Sequence, residues 1–448
     1  MAKSNTQDLT VGNPFWVILK FAIPAILGNL FQLFYTLADS IIVGKTLGGD
    51  ALAAVGATST IVAFVLFFIT GFTGGFGICL GQSYGAKDED KMRKSIASST
   101  LLSIIITIII TIICHLSAKN ILFFIDIPSN IYKDAYDYMY IVLIGSGATI
   151  FYNLISNLFR ALGDSKTPLY FLIISSLLNI FLDLYFIIPW QMGVIGAALA
   201  TVLAQFISAF LCLLVGLKKY PILHLVADDF KDLHATNIWQ IKTAFPMGFQ
   251  MSIMSIGIIA MQKVANSLGT TAITGYTAAS KVDQISVLIN TAMSVALSTY
   301  VAQNFGARNQ ERIKAGVRMS LIQLELLNCL MTIGIIAFKE PLISLFLNNP
   351  SPEILSYTNK YLMIVAPCYW ILGILIIYRT AIQSMQNSKI PFLACIIELF
   401  SRLAVTILLS KKLGYIAVCI ASPAAWIFAS ILLVPSYYLI MHYFAIDY

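Results

Sequence analysis

Two acidic residues lie where a carboxylate is least expected. Asp39 sits inside a long apolar run, Ile23–Val43, and Asp183 inside another, Tyr170–Ile188. Neither has a basic neighbour within several residues. An ionisable group surrounded by apolar residues over membrane length is costly, so its presence points to function. Gln32, Tyr35, Thr36 and Asp39 follow i, i+3, i+4, i+7 spacing, which places them on one helical face. Ser176, Asn179 and Asp183 repeat the pattern, and Thr201 with Gln205 adds a shorter polar face. If these faces converge, two carboxylates meet amide and hydroxyl oxygens. Hard oxygen donors suit Na⁺. Alternatively, two carboxylates in a low dielectric cannot both ionise easily, so one keeps a proton. Either site changes occupancy as conformation changes. The bland alternative is hydrogen bonding between helices.

These residues need long apolar helices to position them. The chain has 448 residues, of which 58% are hydrophobic and 11% charged. Ordinary soluble domains carry about 25% charged residues. So few charges cannot cover the surface of a soluble protein this long. The balance excludes a soluble enzyme, a nucleic-acid-binding domain and a disordered chain. It predicts an all-α integral membrane protein. Twelve runs are long enough to cross a bilayer: 15–43, 52–80, 95–118, 132–159, 167–189, 193–216, 238–267, 272–304, 315–338, 353–383, 390–410 and 414–443. The organisation expected is a six-helix N-terminal bundle over 1–216, a cytoplasmic linker over 217–237 and a six-helix C-terminal bundle over 238–448.

With the N-terminus in the cytoplasm, fifteen Lys and Arg fall on the inner side and five on the outer. That asymmetry is the expected sense for a multi-pass cell-membrane protein with both termini cytoplasmic. It also accounts for the net charge of +7 without an acidic partner or nucleic acid. The seven cysteines lie in apolar stretches with no zinc-ligand spacing. No GxxxxGK[ST] phosphate loop and no HExxH occurs, so neither an ATP motor nor an enzyme is indicated. No cofactor is expected beyond a coupling ion.

The chain also repeats itself. Pro24 matches Pro246, Ala51 and Ser59 match Ala272 and Ser280, and Gln82, Gly85 and Ala86 match Gln303, Gly306 and Ala307. Ser165, Lys166 and Pro168 match Ser388, Lys389 and Pro391. Six spans separate the matched points, so the halves run in the same sense, as in parallel-repeat transporters. The acids are not repeated: the partners of Asp39 and Asp183 fall near Ala260–Met261 and at Thr406.

The second half carries different groups. Met247, Met251, Met254 and Met261 punctuate span seven, and Met repacks around varied ligands. With Gln250, Gly257 and Tyr276 they outline an adaptable apolar cleft; ordinary core or lipid-facing methionine is the alternative. Asp283, Ser286, Asn290 and Ser294 form a polar face on span eight. Lys281 is two residues from Asp283, Lys263 lies in span seven and Glu325 in span nine. Glu398 and Arg402, one turn apart, are expected to pair with each other.

The pieces IPAILGNLFQLFYTLADSIIVGKTLGGDALAAVG, GQSYGAKDED, FRALGDSKTP, LLNIFLDLYFI and GVIGAALATVLAQ resemble the multidrug and toxic compound extrusion (MATE) family, nearest its DinF-type and MepA-type prokaryotic branches. The resemblance covers essentially the whole chain. It implies a V-shaped pair of pseudo-symmetric six-helix bundles. It implies antiport that exports cationic or amphipathic organic compounds in exchange for Na⁺ or H⁺ by alternating access. By the same resemblance the cation site, with Na⁺ as one candidate ion, would be Asp39, Asn179, Asp183 and Thr201. The NorM-type branch places a Glu in helix seven, where this chain reads GFQMSIMSIG with no acid.

The combined expectation is a monomeric secondary antiporter in contact with membrane lipid. Gln32, Tyr35, Gln250, Met254, Met261, Tyr276, Asp283 and Asn290 would line its substrate cleft. Pro24, which lacks a backbone donor, would be a hinge in the first span. The competing expectation is a flippase or exporter of a lipid-linked or polar metabolite. It would need Lys263, Lys281, Arg379 and Arg402 to converge in a basic cleft.

Overall fold

The computed structural model describes residues 7–125, 127–344 and 351–446, with the side chains of 124–125, 260 and 444–446 left out. Every regular element among these is helical. The α-helices are α1 (Pro14–Leu47), α2 (Gly49–Gly85), α3 (Glu89–Ile125), α4 (Tyr132–Ile144), α5 (Ser146–Ala161), α6 (Lys166–Ile187), α7 (Gly193–Lys219), α8 (His234–Ser267), α9 (Thr270–Gly306), α10 (Gln310–Ala337), α11 (Lys339–Ser344), α12 (Pro352–Val365), α13 (Tyr369–Ser384), α14 (Lys389–Leu413) and α15 (Tyr415–Ile446). Taken with α4–α5 and α12–α13 as single crossings, they supply twelve spans of membrane length. The outward faces are apolar: on α3, Ile104, Ile105, Ile108, Ile109, Ile112 and Ile113 are all exposed. In water that stripe would be a large penalty, whereas against acyl chains it is neutral.

The chain forms two compact units. One comprises Leu27–Met251 with the segment ending at Asp8; the other comprises Leu9–Ile26 and Ser252–Tyr448. The division falls inside α1 and α8, whereas the sequence places it in the connection over 217–237. That connection folds onto the first unit. Arg93 on α3 donates to the His224 carbonyl at 2.8 Å and pairs with Asp229 at 3.4 Å. Gln240 near the start of α8 donates to the Ser95 carbonyl at 2.8 Å, and Ser98 donates to Gln240 at 2.9 Å.

α8 can lie this close because α2 presents glycines to it. A Cβ on Gly75 would stand 2.5 Å from the Ala244 Cα, and one on Gly71 would overlap the Met247 carbonyl. Small residues at this spacing let two backbones pack nearly in contact.

The repeat seen in the sequence is repeated in the backbone. Gly48 (φ 92°) and Gly269 (φ 103°), 221 residues apart, open α2 and α9 in a conformation that favours glycine. Lys87 (φ 56°) and Arg308 (φ 54°) occupy matching left-handed turns. The turns close with the same bonds: Ala86 N–H to the Gln82 carbonyl at 3.0 Å, and Ala307 N–H to the Gln303 carbonyl at 2.9 Å. Each unit pairs its helices alike, α2 with α5 and α6 with α7 in one, α9 with α13 and α14 with α15 in the other.

Candidate functional site

The polar faces of α1, α6 and α7 meet inside the first unit. Asp183 is fully buried and Asn179 nearly so, while Asp39 is half-buried. The Asp39 and Asp183 carboxyls lie within hydrogen-bonding reach of each other. In the orientation its neighbours require, the Asn179 amide donates to Asp183 Oδ2 at 3.1 Å. Its oxygen then accepts from the Thr201 backbone N–H at 3.2 Å and faces the Thr201 hydroxyl at 3.3 Å. Tyr35 lies close to Thr201 and to both acids. One oxygen on each acid, Oδ1 of Asp39 and Oδ1 of Asp183, is buried with no hydrogen-bond partner. Buried unpartnered oxygens are costly, and a proton or a small cation between them removes the cost.

Not every residue on the predicted faces joins in. Thr36 bonds back to the Gln32 carbonyl at 2.9 Å, and Gln32 is exposed. Gln205, one turn past Thr201, takes the Thr149 hydroxyl on α5 instead. Tyr138 on α4 was not singled out by spacing, yet it is electrostatically linked to Asp39, Tyr35 and Asp183. It belongs to the crowded run Tyr132–Tyr140, whose aromatic repetition hides which ring turns inward.

The residues expected in the substrate cleft are divided. Gln32, Tyr35 and Gln250 belong to the first unit, and Met254, Met261, Tyr276, Asp283 and Asn290 to the second. Gln250 is 3% exposed. Met261 is packed in the core of the second unit with its sulfur 3.5 Å from the Ser422 hydroxyl. Tyr276 packs edge-on against Tyr361 at 5.5 Å between ring centres. Asn290 is fully buried and donates to Asn328 at 2.9 Å. These three face the interior of their unit. Met254 is half-buried, with its sulfur 3.9 Å from Arg379 Nη1. Pro24 lies inside an unbroken α1.

One expected pairing, Glu398 with Arg402, is corrected, and the surroundings of Asp283 are decided. Asp283 does not pair with Lys281, which is exposed; it accepts from the Tyr369 hydroxyl at 2.7 Å and lies near Tyr361. Glu398 does not pair with Arg402. It forms a buried ion pair with Arg379 on α13. The neighbouring helix brings a guanidinium straight at the carboxylate, whereas the i+4 arginine on the same helix points toward α8, beside Gly257. Positions 261 and 406, matched by the repeat to Asp39 and Asp183, carry buried Met and Thr. Among the described residues, no cluster of three or more His, Cys, Asp or Glu is arranged for a metal.

Comparison with known proteins adds to this geometry. A structure of a MOP superfamily transporter from Pyrococcus furiosus, described as having a binding pocket of reverse polarity, superposes with a TM-score of 0.92 at 20% identity, over 99% of this chain and 100% of that one. At that identity it shows the fold alone. The probable multidrug resistance protein YpnP of Bacillus subtilis (strain 168) is 30% identical over 367 residues, 82% of each chain. The probable multidrug resistance protein YoeA of the same organism is 27% identical over 429 residues, 93% of this chain and 92% of that one. The family model MatE matches twice, over residues 24–185 and 246–408, in register with the internal repeat. With twelve apolar spans, an acidic site buried in one of two like-folded units, and these matches over most of its length, the chain belongs to the MatE family of multidrug and toxic compound extrusion transporters.

Proposed function

We propose that this chain is a secondary antiporter that exports cationic or amphipathic organic compounds in exchange for Na⁺ or H⁺. The observation that carries the reading is the contact between Asp39 and Asp183, steadied by Asn179 and Thr201. Two carboxyls in contact in a low dielectric hold either one proton or one cation between them. The coupling ion is cargo here, and no resident cofactor or catalytic group is required. Loss of that ion leaves two like charges together, and separating them drives α1 and α6 apart. Pro24 withholds one backbone hydrogen bond from α1 and so lowers the cost of bending it. Ion occupancy would thereby bias the conformation that releases solute.

The positive-inside asymmetry supports cytoplasmic termini in the cell membrane. Each unit has its own core, which supports a monomer as the working form. Export of a lipid-linked or polar metabolite is less well supported, because of the four cations it needs Arg379 and Arg402 come together inside the second unit while Lys263 and Lys281 are exposed.

Proteoliposomes test the reading. With a fluorescent organic cation inside, an imposed Na⁺ or pH gradient should drive efflux in the native protein. Asp39→Asn and Asp183→Asn should each abolish the response. Undiminished gradient-driven efflux in both variants refutes the mechanism, and applying each gradient alone identifies the ion.

A further inference from the structure

The second unit buries two arginines the coupling mechanism does not use. Arg379 on α13 is 7% exposed and Arg402 on α14 is 6% exposed. They are close enough to repel each other electrostatically. Their surroundings are unequal. Arg379 has Glu398 as a contact partner. Among the described residues Arg402 has no ion-pair partner, and its Nε is buried without a hydrogen bond.

The groups facing Arg402 are Asp283, Tyr276, Tyr361, Cys395 and Arg379. Asp283 is the one acid among them, and its Oδ1 accepts from the Tyr369 hydroxyl at 2.7 Å. Space for the guanidinium is provided from α8: a Cβ on Gly257 would lie 3.0 Å from Arg402 Nη1 and 3.1 Å from its Cδ. A buried cation without a contact anion is strongly disfavoured unless something supplies one. Guanidinium is weakly hydrated and forks onto carboxylate or phosphate, so an oxyanion is the matching partner. The aromatic rings beside it suit an apolar body carrying that oxyanion.

We propose that the second unit holds an oxyanion-binding subsite centred on Arg402, with Arg379 as the second cation and Glu398 as its internal competitor. The subsite takes the carboxylate or phosphate of an amphipathic or zwitterionic solute. This extends the substrate class beyond simple cations and does not depend on the coupling role of Asp39 and Asp183.

The test is equilibrium binding to the full-length protein in nanodiscs of neutral phosphatidylcholine. The probes are benzoate, phenyl phosphate and, in a separate arm, nanodiscs doped with phosphatidylglycerol. Saturable binding of either soluble probe supports a solute oxyanion, and protection by phosphatidylglycerol alone supports a lipid head group in the same subsite. Arg402→Gln should weaken binding about tenfold or more, in line with the loss of charge-assisted hydrogen bonds. Glu398→Gln frees Arg379 and should tighten binding, and Arg402→Lys, which keeps the charge but loses the planar fork, should weaken binding and keeps the test decisive if Arg402→Gln does not fold. Lys281→Gln, at an exposed cation of the same unit, should bind the probes as the native protein does; the readout needs no ion gradient, so failure of the coupling reading is distinguishable. No saturable binding in any arm overturns the proposal. So does binding unchanged in both Arg402→Gln and Glu398→Gln.

Discussion

Glu398 pairs across helices with Arg379 and leaves Arg402, one turn along its own helix, without a contact anion. Same-helix pairs at i, i+4 are worth only a few tenths of a kcal/mol at exposed sites. A buried pair is governed instead by whether each charge finds a partner in the low-dielectric interior. Removing one member should therefore cost far more than removing both. Arg379→Met and Glu398→Leu alone should each destabilise by about 3–5 kcal/mol, and the double variant should recover most of it. A double-mutant cycle on thermal unfolding in detergent measures the coupling. Additive losses would show that the two side chains act separately.

Asn179 and Thr201 are expected to tune ion affinity without carrying the ion's charge. Asn179→Leu removes the donor to Asp183 and the acceptor facing Thr201. About 1–2 kcal/mol of lost hydrogen bonding corresponds to roughly tenfold weaker apparent ion affinity. The half-maximal Na⁺ concentration, or the transport pH midpoint, should shift by that amount while maximal efflux stays measurable. Thr201→Val should shift it in the same direction and by less.

The α2–α8 contact predicts a structural lesion. Gly75→Val would drive a branched side chain into the Ala244 backbone. Overpacking in a well-packed interior typically costs about 1–3 kcal/mol, and here backbone must move as well. A lowered unfolding temperature and poorer recovery of monodisperse protein should follow. Gly74→Val is the control: a Cβ there meets only the end of the Met247 side chain at 3.5 Å, so it should be milder.

Asp164, in the α5–α6 connection, predicts a pH dependence. Its carboxylate accepts from Lys219 Nζ at 2.6 Å, from the Tyr220 hydroxyl at 2.7 Å and from the Thr167 hydroxyl at 2.6 Å. Burial pushes the carboxyl up, but the bonds from Lys219, Thr167 and Tyr220 outweigh it and hold it below the usual carboxylate range. A depressed folded value means the stabilisation is present above the unfolded value, about 3.9, and is lost as pH falls through the lower folded value. Asp164→Asn should lower stability by about 1–3 kcal/mol at neutral pH. Its deficit should shrink below about pH 4. Unfolding measured from pH 3 to pH 7 checks the slope, and a deficit independent of pH would rule out the ionic contribution.

The twelve spans, the two-fold repeat and the polar faces that carry Asp39, Asn179, Asp183 and Thr201 were legible in the amino-acid order alone. Each depends on the chain's relation to itself: hydropathy over twenty residues, spacing along one helix, or an offset between matching motifs. Asp39, Asn179, Asp183 and Thr201 stood out because polar groups in an apolar run are rare enough to be conspicuous. What the order could not state was rotation and register between helices. Those decided that Gln205 turns to Thr149, that Tyr138 joins the acids and that Glu398 meets Arg379. They also carried the two compact units into α1 and α8, because α2 glycines draw the first half of α8 against the first unit. A helix's own periodicity names the face it offers; packing against its neighbours chooses which atom on that face is met.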